Sequence, residues 1–175
     1  MTHYRRIRME GGTYFFTVVI ANRRLDQLVR HIDLIKKSLR EEKEQTPFVT
    51  LGFVVLPDHI HALWRLPEGD TDYSNRWRRI KARFSKFLPP DESVSMSRKS
   101  KGERGIWQRR FWEHAIQNDK DLHRHLDYIH YNPVKHGLVK HAADWPHSTF
   151  HAYVERGKYN RDWGRGVDID GEFGE

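Results

Sequence analysis

Near the middle of the chain two β-type runs, residues 48–56 (FVTLGFVVL) and 59–66 (HIHALWRL), are separated by only Pro57 and Asp58. Two runs of β-branched and aromatic residues joined by so short a turn form an antiparallel hairpin, and that hairpin restricts where every other element can go. Upstream, residues 13–20 (TYFFTVVI) follow Gly11 and Gly12 and read as a buried strand. Between that strand and the hairpin, Ile32, Leu34, Ile35 and Leu39 recur at helical spacing with Asp33 in the first turn, which predicts an amphipathic helix over 31–44. Downstream, Trp77, Ile80, Phe84 and Phe87 predict a second helix over 77–88, stopped by Pro89 and Pro90.

Residues 106–116, with Trp107, Phe111, Trp112 and Ile116, predict a further strand. Asn118 or Asp119 then offers an N-cap for a helix through Asn132, with Leu122, Leu126 and Ile129 on one side. The order strand, helix, strand, strand, helix, strand, helix is that of an α+β, ferredoxin-like fold: an antiparallel sheet with helices on one face, plus an added C-terminal segment. The expected organisation is one domain over residues 1–150 with a mobile basic loop at 88–105, and a C-terminal extension over 151–175. In that extension Trp163, like Trp145 before it, reads as a packing anchor, and residues 161–175 carry two basic and five acidic side chains.

At 175 residues with 37% hydrophobic and 13% aromatic content the chain can bury a core, which excludes a disordered polymer. No apolar run approaches the ~20 residues that cross a bilayer, and the basic N-terminus is not followed by a cleavage site. The absence of cysteine excludes disulfides and thiolate zinc sites. The expected setting is the cytoplasm, at the nucleoid when DNA is bound, with no membrane partner and no small-molecule substrate.

Charge narrows the choice of partner. From residue 76 to residue 110 there are 12 basic side chains against 3 acidic ones, interleaved with Trp77, Phe84, Phe87, Trp107, Phe111 and Trp112. Concentrated positive charge with flat rings suits single-stranded or partly melted nucleic acid, against the alternative of a solvated helix face beside a basic loop. The candidate contacts are Arg76, Arg78, Arg79, Lys81 and Arg83 for a hairpin backbone, and Trp107, Arg109, Arg110 and Trp112 for unpaired bases or flanking phosphates.

His59-Ile60-His61 is the candidate for chemistry. Side chains alternate along a strand, so His59 and His61 share a face while Ile60, Ala62, Trp64 and Leu66 form an apolar row on the other. The second such triplet, His123-Arg124-His125, falls on a helix, where positions two apart diverge and cannot chelate as a pair. Two half-exposed strand histidines are the competing reading for His59 and His61. On the last helix Tyr128 and Asn132 lie one turn apart on one face. A phenol and an amide oxygen there could meet the two imidazoles, a donor set that leaves positions open for phosphate oxygens on a divalent ion. Tyr128 as a core tyrosine, Asn132 as a cap before Pro133, and Tyr131 as a rival nucleophile stay open alternatives, and Asp127 reads as a surface or positioning residue.

The segments GGTYFFTV from Gly11, VVLPDHIHALWRLPEGD from Val54, GIWQRRFWEHAI from Gly105, DYIHYNPVKHGLV from Asp127 and DWPHSTF from Asp144 together resemble the REP-associated tyrosine transposases, a branch of the single-tyrosine HUH transposases. The resemblance runs over nearly the whole chain. It implies His59 and His61 as metal ligands, Tyr128 as nucleophile and Asn132 as third ligand, where insertion-sequence relatives commonly carry Gln. It further implies a Mg²⁺- or Mn²⁺-dependent single-strand endonuclease and strand transferase that cuts at hairpins of repetitive extragenic palindromes through a 5′-phosphotyrosine link. Such an enzyme is expected to act as a monomer, although relatives outside this branch are often dimers. The rival expectations are a non-catalytic hairpin-binding protein, and a hydrolytic metal nuclease in which Tyr128 only packs.

Overall fold

The computed structural model describes residues 8–89, 96–164 and 173–174. Strand β1 (Thr13–Val19) is followed by a short helix α1 (Gln27–Arg30) and by α2 (Ile32–Gln45). The hairpin β2 (Val49–Val55) and β3 (His59–Arg65) comes next, then α3 (Tyr73–Lys86), the four-residue α4 (Met96–Lys99), β4 (Trp112–Ala115), α5 (Asp119–Lys135) and α6 (Phe150–Glu155). The strand order is β2-β3-β1-β4 with every pairing antiparallel, which is the ferredoxin-like sheet that the element order predicts. Among the described residues no helix is long and apolar enough to cross a membrane.

The central strands have almost no solvent-exposed face because each is covered on both sides. Tyr14, Phe16 and Val18 of β1 and Ile60, Ala62 and Trp64 of β3 pack against Ile35 of α2 and Trp77, Ile80 and Phe84 of α3. Trp64 and Trp77 stack at 4.4 Å between ring centroids. On the other face Phe15, Val54 and Leu63 meet Leu126, Tyr128 and Ile129 of α5. The helices α2 and α3 therefore share one face, and the added helix α5 lies across the other, the face to which His59 and His61 belong. Its close approach depends on Gly52: a Cβ there would stand 2.8 Å from Leu126 Cδ1 and 3.0 Å from Ile129 Cδ1. A β-bulge falls at the same place, between Thr50 and Gly52.

Boundaries differ from the sequence expectation for local reasons. α3 begins a turn earlier than expected because Asp72 caps it, its side chain accepting from Asn75 N–H at 3.1 Å. The strand expected over 106–116 is reduced to β4, since the stretch ahead of it holds to the end of β1 only by a bridge between Ile20 and Trp107 and by single bonds such as Gln108 N–H to the Val19 carbonyl. α5 does not stop at Asn132 but runs through Pro133, which has no N–H to donate to the preceding turn, and closes at His136 ahead of Gly137 in the left-handed region. Of the loop expected over 88–105, residues 90–95 lie outside the described residues, as do 165–172 of the acidic tail.

The outer edge of β2 is closed by the chain's own C-terminal part. Val55 N–H bonds the His147 carbonyl and Thr149 N–H the Phe53 carbonyl, both at 2.9 Å. The Trp145 indole donates to the Val55 carbonyl at 2.9 Å, and Tyr153 Oη to the Leu51 carbonyl at 2.7 Å. Trp163 packs on Tyr159 and Phe150 at 4.6 and 5.9 Å.

Candidate active site

The register of β1 on β3 sets Thr17 opposite His61 and Val19 opposite His59, so Thr17 shares the histidine face. The two imidazoles are buried, 1% and 0% exposed, with centroids 4.8 Å apart. Each ring is held at Nδ1. His59 Nδ1 donates to Asp58 Oδ1 at 2.7 Å, and Arg23 Nε donates to the other oxygen of that carboxylate at 2.6 Å. Burial alone would raise the Asp58 pKa, but the bonds from His59 and Arg23 outweigh it and hold the carboxyl well below its ordinary range. The Thr17 hydroxyl donates to the Phe173 carbonyl at 2.5 Å and so accepts from His61 Nδ1 at 2.9 Å.

Helix α5 brings the other two residues. Tyr128, Asn132 and His136 follow one another at four-residue steps along one face. The first ring lies 5.2 Å from His61 and the last 5.1 Å from His59, so Asn132, fully buried, sits on the stretch of helix that spans the pair. All four residues singled out as His59, His61, Tyr128 and Asn132 thus come together on one side of the sheet. Tyr131 does not join them: its ring packs by Gly164, where an added Cβ would lie 3.3 Å from it. Asp127 accepts from the Tyr159 hydroxyl at 2.5 Å and ties the C-terminal segment to α5.

The surroundings of Tyr128 add two residues that local pattern did not reveal. Lys135 Nζ donates to Tyr128 Oη at 2.9 Å and stands 4.7 Å from the ring centroid. Phe173 lies flat on the tyrosine, with centroids 3.5 Å apart and planes at 8°, while Arg124 covers the Phe173 ring at 5.5 Å. Under that cover Tyr128 is only 1% exposed. Lys135 and His136 carried a signal, since they extend the Tyr128 face by two turns. Phe173 carried none, being distant in sequence.

A neighbouring group, His114, Asp121 and His125, has ligand atoms within 4.8 Å of one another and could hold a metal ion. In this arrangement His114 Nε2 bonds Asp121 at 2.7 Å, and the two imidazoles are stacked at 4.6 Å with planes 14° apart. Ring-nitrogen lone pairs lie in the ring planes, so stacked imidazoles would have to separate before both could face one ion.

The basic segment divides into two sets. Arg76, 3% exposed, gives its guanidinium to Asp70 and to the carbonyls of Thr46, Pro47 and Asp72. Arg79 and Arg83 both bond the buried carboxylate of Glu42, each at 2.6 Å. These three tie α3 to α2 and its following turn, and each of the expected phosphate contacts Arg76, Arg79 and Arg83 already has a carboxylate partner within the chain. Trp107 belongs to the core against Phe84, with its indole donating to the Lys81 carbonyl, and Trp112 packs edge-on to Phe15. Arg78, Lys81 and Arg109 line a groove of about 870 Å³ between α3 and residues 101–109, together with Lys86, Lys101 and Arg104; Arg109 is paired there with Glu103 at 3.1 Å, and Lys81 donates to the Gln108 carbonyl at 3.0 Å. Arg110 is exposed beside it. α3 and this groove lie across the sheet from His59 and His61.

No protein-family model matches the chain. The REP-associated tyrosine transposase of Escherichia coli K12 is 47% identical to it over 163 residues, 93% of this chain and 91% of that one. The chain belongs to the REP-associated tyrosine transposases. A relative from Haemophilus influenzae that carries the same family name is 45% identical over 170 residues, 97% of both chains. A solved REP-associated tyrosine transposase, bound to a REP hairpin, superposes with a TM-score of 0.86 at 46% identity, covering 100% of this chain and 98% of that one. Membership makes this transposase a DNA-acting enzyme, and its α+β fold is that of the solved relative.

Proposed function

We propose that this transposase cuts and rejoins single-stranded DNA at the foot of palindromic hairpins, with Tyr128 as nucleophile and a Mg²⁺ or Mn²⁺ ion held by His59, His61 and Asn132. The observation that carries the reading is the facing of the histidine pair by the Tyr128–Asn132 side of α5. The donor set fits a catalytic divalent ion: two buried imidazoles, each with Nδ1 already engaged so that Nε2 is the ligand nitrogen, and one amide oxygen. Bound there, the ion would polarise the scissile phosphate and offset the charge that develops on it.

The chain's own residues account for the remainder. Tyr128 Oη attacks phosphorus and its bond to phosphorus forms as the bond to the 3′-oxygen breaks; the 5′ end is left on the tyrosine, and the departing 3′-oxygen takes up a proton, equal to the one the phenol gives up, to become the free 3′-hydroxyl of the upstream piece of the same strand. Attack by another 3′-hydroxyl reverses the step and joins strands, the phosphotyrosine link conserving the bond. The Lys135 ammonium beside Oη offsets the negative charge of the phenolate as its proton leaves. The groove lined by Arg78, Lys81, Lys86, Lys101 and Arg109 supplies a basic surface for the hairpin backbone. The closure of the β2 edge by residues 145–153 favours a chain that works as a monomer.

The test is a denaturing protein gel after incubation with labelled single-stranded hairpin oligonucleotides, with and without Mg²⁺ or Mn²⁺. A metal-dependent labelled band is expected for wild type and Tyr131→Phe and none for Tyr128→Phe. Cut DNA without adduct would favour hydrolysis, and binding without cutting would favour a binding module.

A further inference from the structure

Each histidine of the pair has at Nδ1 a hydrogen-bond partner that lies outside α5, on β1 or in the β2–β3 turn. His59 Nδ1 faces the Asp58 carboxylate, whose second oxygen is taken by Arg23. His61 Nδ1 faces the Thr17 hydroxyl. We infer that Asp58 and Thr17 are positioning residues that fix both imidazoles in the tautomer with hydrogen on Nδ1, so that Nε2 carries no hydrogen and serves as the ligand nitrogen, and that Arg23 holds Asp58 in place for this task. The inference deepens the metal-dependent reading above and rests on it.

The two cases reach the same tautomer by different chemistry. A carboxylate only accepts, so the ring nitrogen 2.7 Å from Asp58 must carry the hydrogen. A hydroxyl can donate or accept, but the single proton of Thr17 is spent on the Phe173 carbonyl at 2.5 Å, which leaves it an acceptor toward His61. Both partners are fixed by the backbone. Thr17 is the cross-strand neighbour of His61 in the β1–β3 ladder. Asp58 is held because Ile20 N–H bonds its carbonyl at 2.8 Å and Arg23, just after β1, grips its side chain. The end of β1 therefore reaches both histidines, once through Thr17 and once through Arg23. Bonds of this kind orient a ligand imidazole and raise its basicity, and their loss weakens metal binding by roughly 10- to 100-fold.

Two measurements on the full chain separate this role from a merely structural one: the ¹⁵N shifts of the imidazoles in metal-free protein, and Mn²⁺ titration followed by the electron-spin signal of the free ion. Wild type should show both histidines with hydrogen on Nδ1. Asp58→Ala should move His59 toward hydrogen on Nε2 and weaken Mn²⁺ binding by at least tenfold, and Thr17→Val should do the same for His61. Asp58→Asn, which keeps an acceptor oxygen and the shape of the turn, should keep the tautomer and weaken binding less, so the question survives if the alanine variant does not fold. Arg23→Ala should weaken Mn²⁺ binding by a smaller factor than Asp58→Ala. Unchanged ¹⁵N patterns in both Asp58→Ala and Thr17→Val, with Mn²⁺ affinity within twofold of wild type, would overturn the inference. If wild type binds no Mn²⁺ while Asp58 and Thr17 still set the tautomers, the positioning role stands and the metal-dependent reading fails.

Discussion

Replacing Phe173 by alanine should speed covalent capture of hairpin DNA by roughly 30- to 150-fold at subsaturating substrate. The magnitude follows from what the ring does in the closed site. Phe173 is 3% exposed and lies on Tyr128 at 3.5 Å, leaving the nucleophile 1% exposed, so no phosphate can approach until the phenylalanine leaves. Burying a phenylalanine side chain contributes about 2–3 kcal/mol. The hydrogen bond from Thr17 goes to the Phe173 main-chain carbonyl, which alanine retains, so the ring alone is lost. When only the open fraction accepts substrate, the apparent affinity falls by that fraction, and every 1.4 kcal/mol is about tenfold. The assay is the initial rate of labelled adduct formation at several hairpin concentrations well below saturation, with Phe173→Leu as an intermediate case. Equal rates for wild type and Phe173→Ala would refute the reasoning, and a slower variant would mean that the ring supports the tyrosine rather than covering it.

Further outcomes follow from the division of the basic residues and from the packing of α5. Arg78→Ala should reduce the salt slope of hairpin binding by about one while leaving thermal stability unchanged, whereas Arg79→Ala should cost about 1–3 kcal/mol of stability because it strips a bond from the buried Glu42 carboxylate; salt titrations and urea melts check the pair. Burial pushes the Glu42 carboxyl up, but bonds from Arg79, Thr46 and Arg83 outweigh it and bring its pKa from 4.5 to about 2. Its folded pKa is the lower one, so its stabilisation, roughly 3 kcal/mol, is complete above pH 4.5 and is lost as the pH falls toward 2. Urea midpoints between pH 7 and pH 3 should accordingly fall less steeply for Glu42→Gln than for wild type. Gly52→Ala should push Leu126 and Ile129 outward and move Tyr128 off His61, lowering adduct formation while the hairpin still binds; an unchanged rate would show that α5 absorbs the methyl group without shifting.

The sheet was legible because its signals are local: alternation placed His59 and His61 together on one face, and the Pro57–Asp58 turn set the hairpin that carries them. The four-residue step from Tyr128 to Asn132 was equally local, and continuing it would have found His136. What the pattern could not supply was the partner of each charge. Arg76, Arg79 and Arg83 read as a free basic stripe on a helix, yet their counter-charges sit on Asp70 and Glu42, one in a loop and one on another helix. Likewise Trp107 and Trp112 looked available for stacking on bases, and the tertiary fold buries or half-buries both. Phe173 reaches Tyr128 only through the chain's return to the sheet, a contact between segments that no periodicity connects.

The strap that closes β2 also sets the order in which this protein can be completed. Phe53 and Val55 find their outer partners in Thr149 and His147, and the bond from Thr149 spans 96 positions of sequence. While the chain is being synthesised, α2, the hairpin and α3 can assemble with β1 long before residues 145–153 emerge. Until they do, the nascent sheet presents an unpaired β2 edge, the kind of surface on which unfinished chains adhere to one another. Long-range pairings of this sort are slow to form, so this edge is shielded late in folding. Yield on expression should therefore be more sensitive to the Trp145-to-Tyr153 stretch than its small share of the core would suggest.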